Sequence, residues 1–200
     1  SNDLAKSLGL PLDVHQACRT VLAGQARAID VGQAGSHYFC SASCLGYFAE
    51  IAGESHDMKG LRGSPRYVIA ALSVLRRMDS GWPMEVKADG QTFQSEYAVL
   101  LVGNAPRFGG LTMLPGARAD DGLLDGLLIE TPDKLEVLHL IGLVYRKAME
   151  RHKKATRFTA RSLSVPLGRP SRLCNDGELC PSNHQTIDYT VLPKRLGIIM

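Results

Sequence analysis

Asp89-Gly90 lies between two alternating runs, Met84 to Lys87 and Thr92 to Val102. Aspartate followed by glycine is a preferred centre for a two-residue hairpin, because both central positions of the favoured turn take positive φ. Strands joined that tightly run antiparallel, so this pair fixes the character of the sheet. Within the second run, Ala98 to Val102 is continuously apolar, which suits a strand buried on both faces. Further stretches with strand patterning are Ala26 to Val31 and Ser36 to Ser41 across a turn at Gly32 to Gly35, then Leu124 to Glu130 and Thr156 to Val165. Ile187 to Leu192 alternates more loosely, and Arg195 to Met200 is a final apolar end.

Helical spacing appears between these runs. Asp3 to Leu8 starts behind Asn2 or Asp3 as a cap and is stopped by Gly9-Leu10-Pro11. Asp13 to Leu22 puts Val14, Ala17, Cys18 and Val21 on one face and ends at Gly24. Cys44 to Ala52 and Leu61 to Met78 read as helices, the second with Tyr67, Ala70, Ala71, Val74, Leu75 and Met78 as its core stripe. Asp133 to Met149 turns Leu135, Leu138, Ile141, Val144, Tyr145 and Ala148 inward, capped by Thr131 or Asp133. Many short strands with a few helices between them make a β-rich α+β domain, an antiparallel β-sandwich with helices at its edges.

The 200 residues, 44% hydrophobic, are enough for one good-sized core or two small ones. A formal net charge of +3 is far from the strongly basic balance of a general nucleic-acid binder. No stretch approaches the ~20 apolar residues of a membrane span, and no secretory signal opens the chain. Five scattered cysteines, Cys18, Cys40, Cys44, Cys174 and Cys180, make neither a disulfide framework nor a short-gap zinc pattern. They read as reduced thiols, and a cytosolic setting is the default. Ser1-Asn2 reads as a processed start or the remnant of a tag.

Two acidic turns carry the chemistry. In Leu114-Pro115-Gly116-Ala117-Arg118-Ala119-Asp120-Asp121-Gly122-Leu123-Leu124-Asp125, a tight turn at Gly122 runs into an apolar strand. Its inward carbonyls and an Asp carboxylate could ring a hard cation such as Mg²⁺, or the stretch is simply a solvated turn. Asn175-Asp176-Gly177-Glu178 places two carboxylates around a flexible glycine, either as a general base and its companion or as a plain hairpin turn. Arg146, Lys147, Arg151, Lys153, Lys154, Arg157 and Arg161 form a dense basic region. That region reads as a solvated helix end or as a contact to anionic lipid headgroups. The histidines form no ligand pair at helical spacing. Tyr38, Phe39, Tyr47 and Phe48 are candidates for core or for an acyl-chain pocket.

An ordered series of these segments resembles the diacylglycerol kinase catalytic family, which includes bacterial lipid kinases and the sphingosine and ceramide kinases. Asn2-Asp3-Leu4-Ala5 is similar to the end of that family's Gly-Thr-x-Asn-Asp-(Phe/Leu)-Ala segment. Ile29-Asp30-Val31-Gly32, Tyr38-Phe39, Ser43-Cys44-Leu45-Gly46 and Gly63 to Tyr67 follow in family order. Asn104-Ala105 with Gly109-Gly110, Pro115-x-Ala117, Asp120 to Asp125 and Asp176-Gly177-Glu178 complete the series. Gly126 departs from it, since a β-branched residue is usual there, and Asn104 to Leu111 has two glycines where three are common.

The resemblance implies an α/β lobe that grips ATP with a Gly-Gly-Asp-Gly-Thr loop, followed by a β-sandwich lobe. This sequence contains no such loop, so residues 1–200 read as a single C-terminal lobe without the N-terminal ATP-binding one. Asp176 falls on the family's general base, Glu178 on its acidic companion and Asp3 on the acidic network nearby. Asp121 falls on the carboxylate ligand of a structural Mg²⁺, with the carbonyls of Arg118 and Leu123 as the other protein ligands. The implied activity is ATP-dependent phosphorylation of a lipid hydroxyl such as that of diacylglycerol, silent in this lobe alone. Its partners would be the lipid, its own N-terminal lobe and, peripherally, a membrane, with no nucleic acid. A non-catalytic lipid-binding or regulatory module of the same fold, and a NAD-kinase-like enzyme, are the alternatives.

Overall fold

The chain is described by a computed structural model covering residues 2–58, 64–181 and 185–200. Its scaffold is one continuous antiparallel sheet bent into two layers, and the bend runs along a single strand. That strand, β5 (Gln91–Gly103), follows β4 (Trp82–Ala88) through the expected hairpin, with Asp89 at φ 41° and Gly90 at φ 86°. The first half of β5 pairs with β4. Its second half pairs with β3 (Ala42–Gly46) on one side and β8 (Leu124–Glu130) on the other. One layer thus runs from β5 through β4, β10 (Ser162–Pro166), β13 (Thr186–Ile199) and β1 (Ala26–Ala34) to β2 (His37–Phe39). The other runs from β9 (Ala155–Ala160) through β8, β5 and β3 to β11 (Leu173–Asn175) and β12 (Glu178–Cys180). A two-residue hairpin, β6 (Arg107–Phe108) with β7 (Leu111–Thr112), stands apart from the sheet.

Alternation explains the cores. Inward positions of nearly every strand, among them Phe39, Leu45, Val86, Leu100, Leu124, Leu173 and Tyr189, meet between the layers. Outward positions of β3, β5 and β8 build a second core under α3 (Tyr47–Asp57), α5 (Lys134–Tyr145) and the loop at Met113 to Ala117. Ala98 to Val102 serves both cores and is buried throughout, as its unbroken apolar run requires. Gly126 has a packing reason: a Cβ there would sit 2.1 Å from the Phe158 ring, which faces it across β8 and β9.

Several boundaries differ from the sequence reading. Cys44 and Leu45 belong to β3, not to a helix, because Cys44 pairs with both Leu101 and Cys174, and α3 begins only after Gly46. Thr156 to Val165 is two strands with a corner at Arg161, and Ile187 to Met200 is essentially one long strand, bulged opposite Asp30. The helix read over Leu61 to Met78 forms as α4 (Ser64–Arg76), while 59–63 lie outside the described residues. α1 (Asp3–Ser7) and α2 (Val14–Ala23) form where expected, with Asp13 capping α2 through the Gln16 N–H. The apolar face of α2 is exposed, however, with Val14 at 72% and Leu22 at 86%. α5 also forms behind an Asp133–Glu136 capping box, but Leu135, Leu138, Ile141 and Tyr145 point outward, and Leu140 is its buried residue. A helix apolar on every side offers no pattern from which to choose its inner face. Among the described residues no helix is long and apolar enough to cross a membrane.

Candidate active site

Asp176 and Gly177 are the two central residues of the β11–β12 hairpin, at φ 51° and 94°. This is the same positive-φ turn as Asp89-Gly90, and it uses its Asp in the same way. The Asp89 carboxylate accepts the backbone N–H of Arg161 at 2.7 Å and Ser162 at 3.2 Å. The Asp176 carboxylate accepts three, from Cys40 at 2.7 Å, Ser41 at 2.8 Å and Ala42 at 3.0 Å. Its own N–H donates to the Ala42 carbonyl at 2.8 Å, closing the hairpin onto the corner between β2 and β3. Burial and the adjacent Asp176 carboxylate push the Cys40 thiol above its ordinary range. Glu178 is exposed, and its carboxylate accepts no hydrogen bond among the described residues. Asn175, buried beside this turn, leaves both polar atoms of its amide without a protein partner among the described residues.

Asp3 reaches the same corner through the loop that leaves β5. Asn104 is fully buried; its backbone N–H goes to the Ser41 carbonyl at 2.8 Å. Its amide donates to the carbonyls of Cys40 at 3.0 Å and Asp30 at 2.8 Å. At the loop's far end the Gly110 N–H donates to Asp3 Oδ2 at 2.9 Å, and Arg107 stands 3.8 Å from Asp3 Oδ1. Asp176 and Asn104 are therefore both bonded to one stretch of backbone, residues 40–42, and Asp3 is tied to it only through the loop that runs from Asn104 to Gly110. Asp3 is largely buried, whereas Asp176 belongs to an exposed turn and is aimed at the strand corner rather than into a cavity. A hollow of about 370 Å³ edged by Tyr47, Trp82 and Arg169 lies elsewhere.

The second acidic turn is organised from beneath by Asp30, which the sequence reading left without a role. Asp30 is fully buried at the β1 bulge, accepting the N–H of Gly122 through Oδ2 and of Lys194 through Oδ1, each at 2.7 Å. Its own N–H donates to the Ala119 carbonyl at 2.7 Å. Arg157 clamps the loop's other end, donating to the Pro115 carbonyl at 2.6 Å and to Asp125 at 2.7 Å. Burial raises the Asp125 carboxyl against the pull of that guanidinium. Asp121 is exposed, with Oδ1 accepting the Leu123 N–H at 3.1 Å; Gly122 follows at φ 74°. Asp120 pairs with Arg118 and Arg27, whose hydrogen bonds hold its carboxyl below the usual range. Around Asp121 the donors available to an ion are oxygens only, one carboxylate with the Arg118 and Leu123 carbonyls nearby in sequence. That chemistry fits a hard cation that keeps much of its water. No cluster of three His, Cys, Asp or Glu side chains occurs among the described residues.

The basic region divides. Arg157 is partly buried in its clamp, Lys153 and Lys154 pair with Glu136, and Arg146, Lys147, Arg151 and Arg161 stay exposed. The aromatic quartet forms no common pocket: Phe39 is core, Tyr38 is 62% exposed and Tyr47 packs edge-on against Trp82. A buried Asp in an apolar strand was the available signal for Asp30, since such a group needs local donors.

The chain is 28% identical over 179 residues to a protein named diacylglycerol kinase from Staphylococcus carnosus, an alignment covering 88% of this chain and 58% of that one. A diacylglycerol kinase of Staphylococcus aureus strain Newman is 25% identical over the same length. The chain thus spans a little over half the length of these relatives. A crystal structure described as a putative diacylglycerol kinase from Bacillus anthracis shares the fold, with a TM-score of 0.76 at 22% identity, over 99% of this chain and 64% of that one. A yeast NADH kinase superposes more loosely, with a TM-score of 0.50 at 10% identity over 94% of this chain and 49% of that one. Residues 41–200 match the family described as the YegS C-terminal NAD kinase beta sandwich-like domain, and the chain belongs to that family, as a C-terminal lobe of the diacylglycerol kinase group.

Proposed function

We propose that this chain is the lobe of an ATP-dependent lipid kinase that holds the lipid and supplies the base, with ATP gripped by a preceding lobe. The observation that carries the reading is the run of hydrogen bonds that ties the Asp176-Gly177-Glu178 hairpin to residues 40–42, those residues to Asn104, and the loop from Asn104 to Asp3 at Gly110. In phosphoryl transfer a protein mainly positions groups and stabilises charge. The base takes the proton of the lipid hydroxyl, the oxygen bonds to the γ-phosphorus, and the bond to the β-phosphate oxygen breaks to release ADP. A diacylglycerol is the acceptor suggested by the names of the relatives at 25–28% identity.

Within the hairpin the two acids divide the work. Asp176 is the base implied by resemblance, yet both its oxygens are engaged by backbone N–H groups, as Asp89 is at a hairpin remote from this corner. The unengaged carboxylate of Glu178 favours a second assignment, in which Asp176 fixes the turn and Glu178 takes the proton. Asp176→Asn and Glu178→Gln in the whole protein separate the two. We expect labelled γ-phosphate transfer to diacylglycerol to fall by roughly 10²–10⁴ for the residue that is the base. Folding should be intact for that variant, and the melting temperature should drop for the residue that only holds the turn. Wild-type turnover by both variants discards the reading; transfer to NAD rather than to diacylglycerol or a sphingoid base moves the chain to a nucleotide kinase.

Asp121, with the Arg118 and Leu123 carbonyls, would hold Mg²⁺, whose charge would brace the loop between Pro115 and Asp125. Millimolar Mg²⁺ should raise the melting temperature of the wild type and leave that of Asp121→Ala unchanged.

A further inference from the structure

α5 carries an apolar face that no other described residue covers. Leu135 is 78% exposed, Leu138 62%, Ile141 47% and Tyr145 73%. These positions recur every three or four residues, so they form one stripe, opposite the side that Leu140 buries. The exposed Gly142 lies within the stripe and interrupts it with no side chain. Acids are missing from that stripe. Asp133 and Glu136 are held in the capping box, and Glu136 is further neutralised by Lys153 and Lys154, which depress its carboxyl to about 2. Exposed cations bracket the stripe instead: Lys134 at its start, Arg146 and Lys147 just after its end, and Arg151 beyond.

We propose that α5 lies in the interface of an anionic bilayer and is the element through which this lobe sits on the membrane. The choice of a lipid surface rests on the lipid-kinase reading; the geometry of the helix does not. An in-plane helix buries one apolar face at the headgroup boundary, with a tyrosine at headgroup depth and cations reaching anionic lipids. α5 has each of these parts. A second copy of the chain is a poorer occupant, because antiparallel pairing of two α5 stripes sets Lys134 against Arg146 and Lys147 of the other copy. The stripe, about 18 Å long for 12 residues, is also small beside the roughly 800 Å² per partner of a stable interface. The helix packs on β7, and the β6–β7 hairpin carries the Gly110 bond to Asp3. A membrane beneath α5 is therefore connected to the acidic corner through one short hairpin.

The test is flotation of the whole protein with vesicles of phosphatidylcholine alone or mixed with phosphatidylglycerol, without ATP. Wild type should float with the anionic vesicles. Leu135→Ser/Leu138→Ser/Tyr145→Ser should stay at the bottom of the gradient with an unchanged melting temperature. Arg146→Glu/Lys147→Glu should weaken partitioning at least about twentyfold, each charge near such a surface being worth about fivefold. Flotation of both variants like wild type overturns the proposal. So does amide exchange in α5 that anionic vesicles leave unchanged, since another surface would then do the docking. A dimer that the triple variant converts to monomer overturns it in favour of self-association. Because turnover is not read, failure of the kinase assignment would show separately, in the Asp176 and Glu178 variants.

Discussion

Asp30 shows how much one side chain can organise. Its carboxylate joins the loop at Gly122 to the β13 bulge at Lys194, and its backbone carbonyl accepts the Asn104 amide. Hydrogen bonds to a charged group each contribute about 1.5–3 kcal/mol, and a buried N–H left unpaired costs about 1–3 kcal/mol. Asp30→Ala should therefore destabilise the fold by roughly 3–5 kcal/mol in urea titration. The same variant should abolish the Mg²⁺-induced rise in melting temperature, because the turn preceding Leu123 loses its anchor. A conservative Asp30→Asn keeps one acceptor and should fall between the two.

At the scale of the element, α5 is held from below by the turn at Met149 to Lys154. His152 is 4% exposed there; its Nδ1 accepts the Lys154 N–H at 3.2 Å, and its ring tilts against His139 at 5.3 Å between centroids. Burial, with lesser repulsion from His139, Lys153 and Lys154 and opposed by attraction to Glu136, holds the imidazole below its ordinary 6.5. A depressed pKa stabilises the fold above the unfolded value and loses that contribution as pH falls through the folded one. Melting temperature should accordingly drop between pH 7 and pH 5, and His152→Gln should flatten the slope. The limit is about 1.4 kcal/mol for each unit separating the two states. The sequence made α5 legible as a helix, cap included, but not its orientation, because Leu135, Leu138 and Leu140 are equivalent until the sheet selects one. It made the Asp89-Gly90 and Asp176-Gly177 turns legible through their required φ, and the acidic positions through their order along the chain. It could not reveal that Asp176 would be gripped by residues 40–42, since a contact more than 130 residues distant leaves no periodicity. Cys44 misled for a related reason: a short apolar run fits helix and inner strand alike, and pairing with Cys174 decides it.

For the whole molecule, β5 is the seam. It belongs to both layers, and Leu100, Leu101 and Val102 are fully buried between the two cores. Neither layer can separate without breaking that strand, so unfolding should be a single cooperative step. In native-state hydrogen exchange, the amides of Leu100 to Val102 should open only with the global free energy, while those of α2, which buries no residue, should open far below it. The wiring of the acidic corner has a mechanical consequence. Residues 40–42 are gripped on one side by Asp176 and on the other by Asn104, and the loop from Asn104 is fastened at Gly110 to the first helix. α1 and the β11–β12 hairpin are thus tied together at the edge of a sheet that holds the hairpin in place through β3. A body that docks against the first helix therefore meets carboxylates already set by the sheet, and no strand has to be remade to present them.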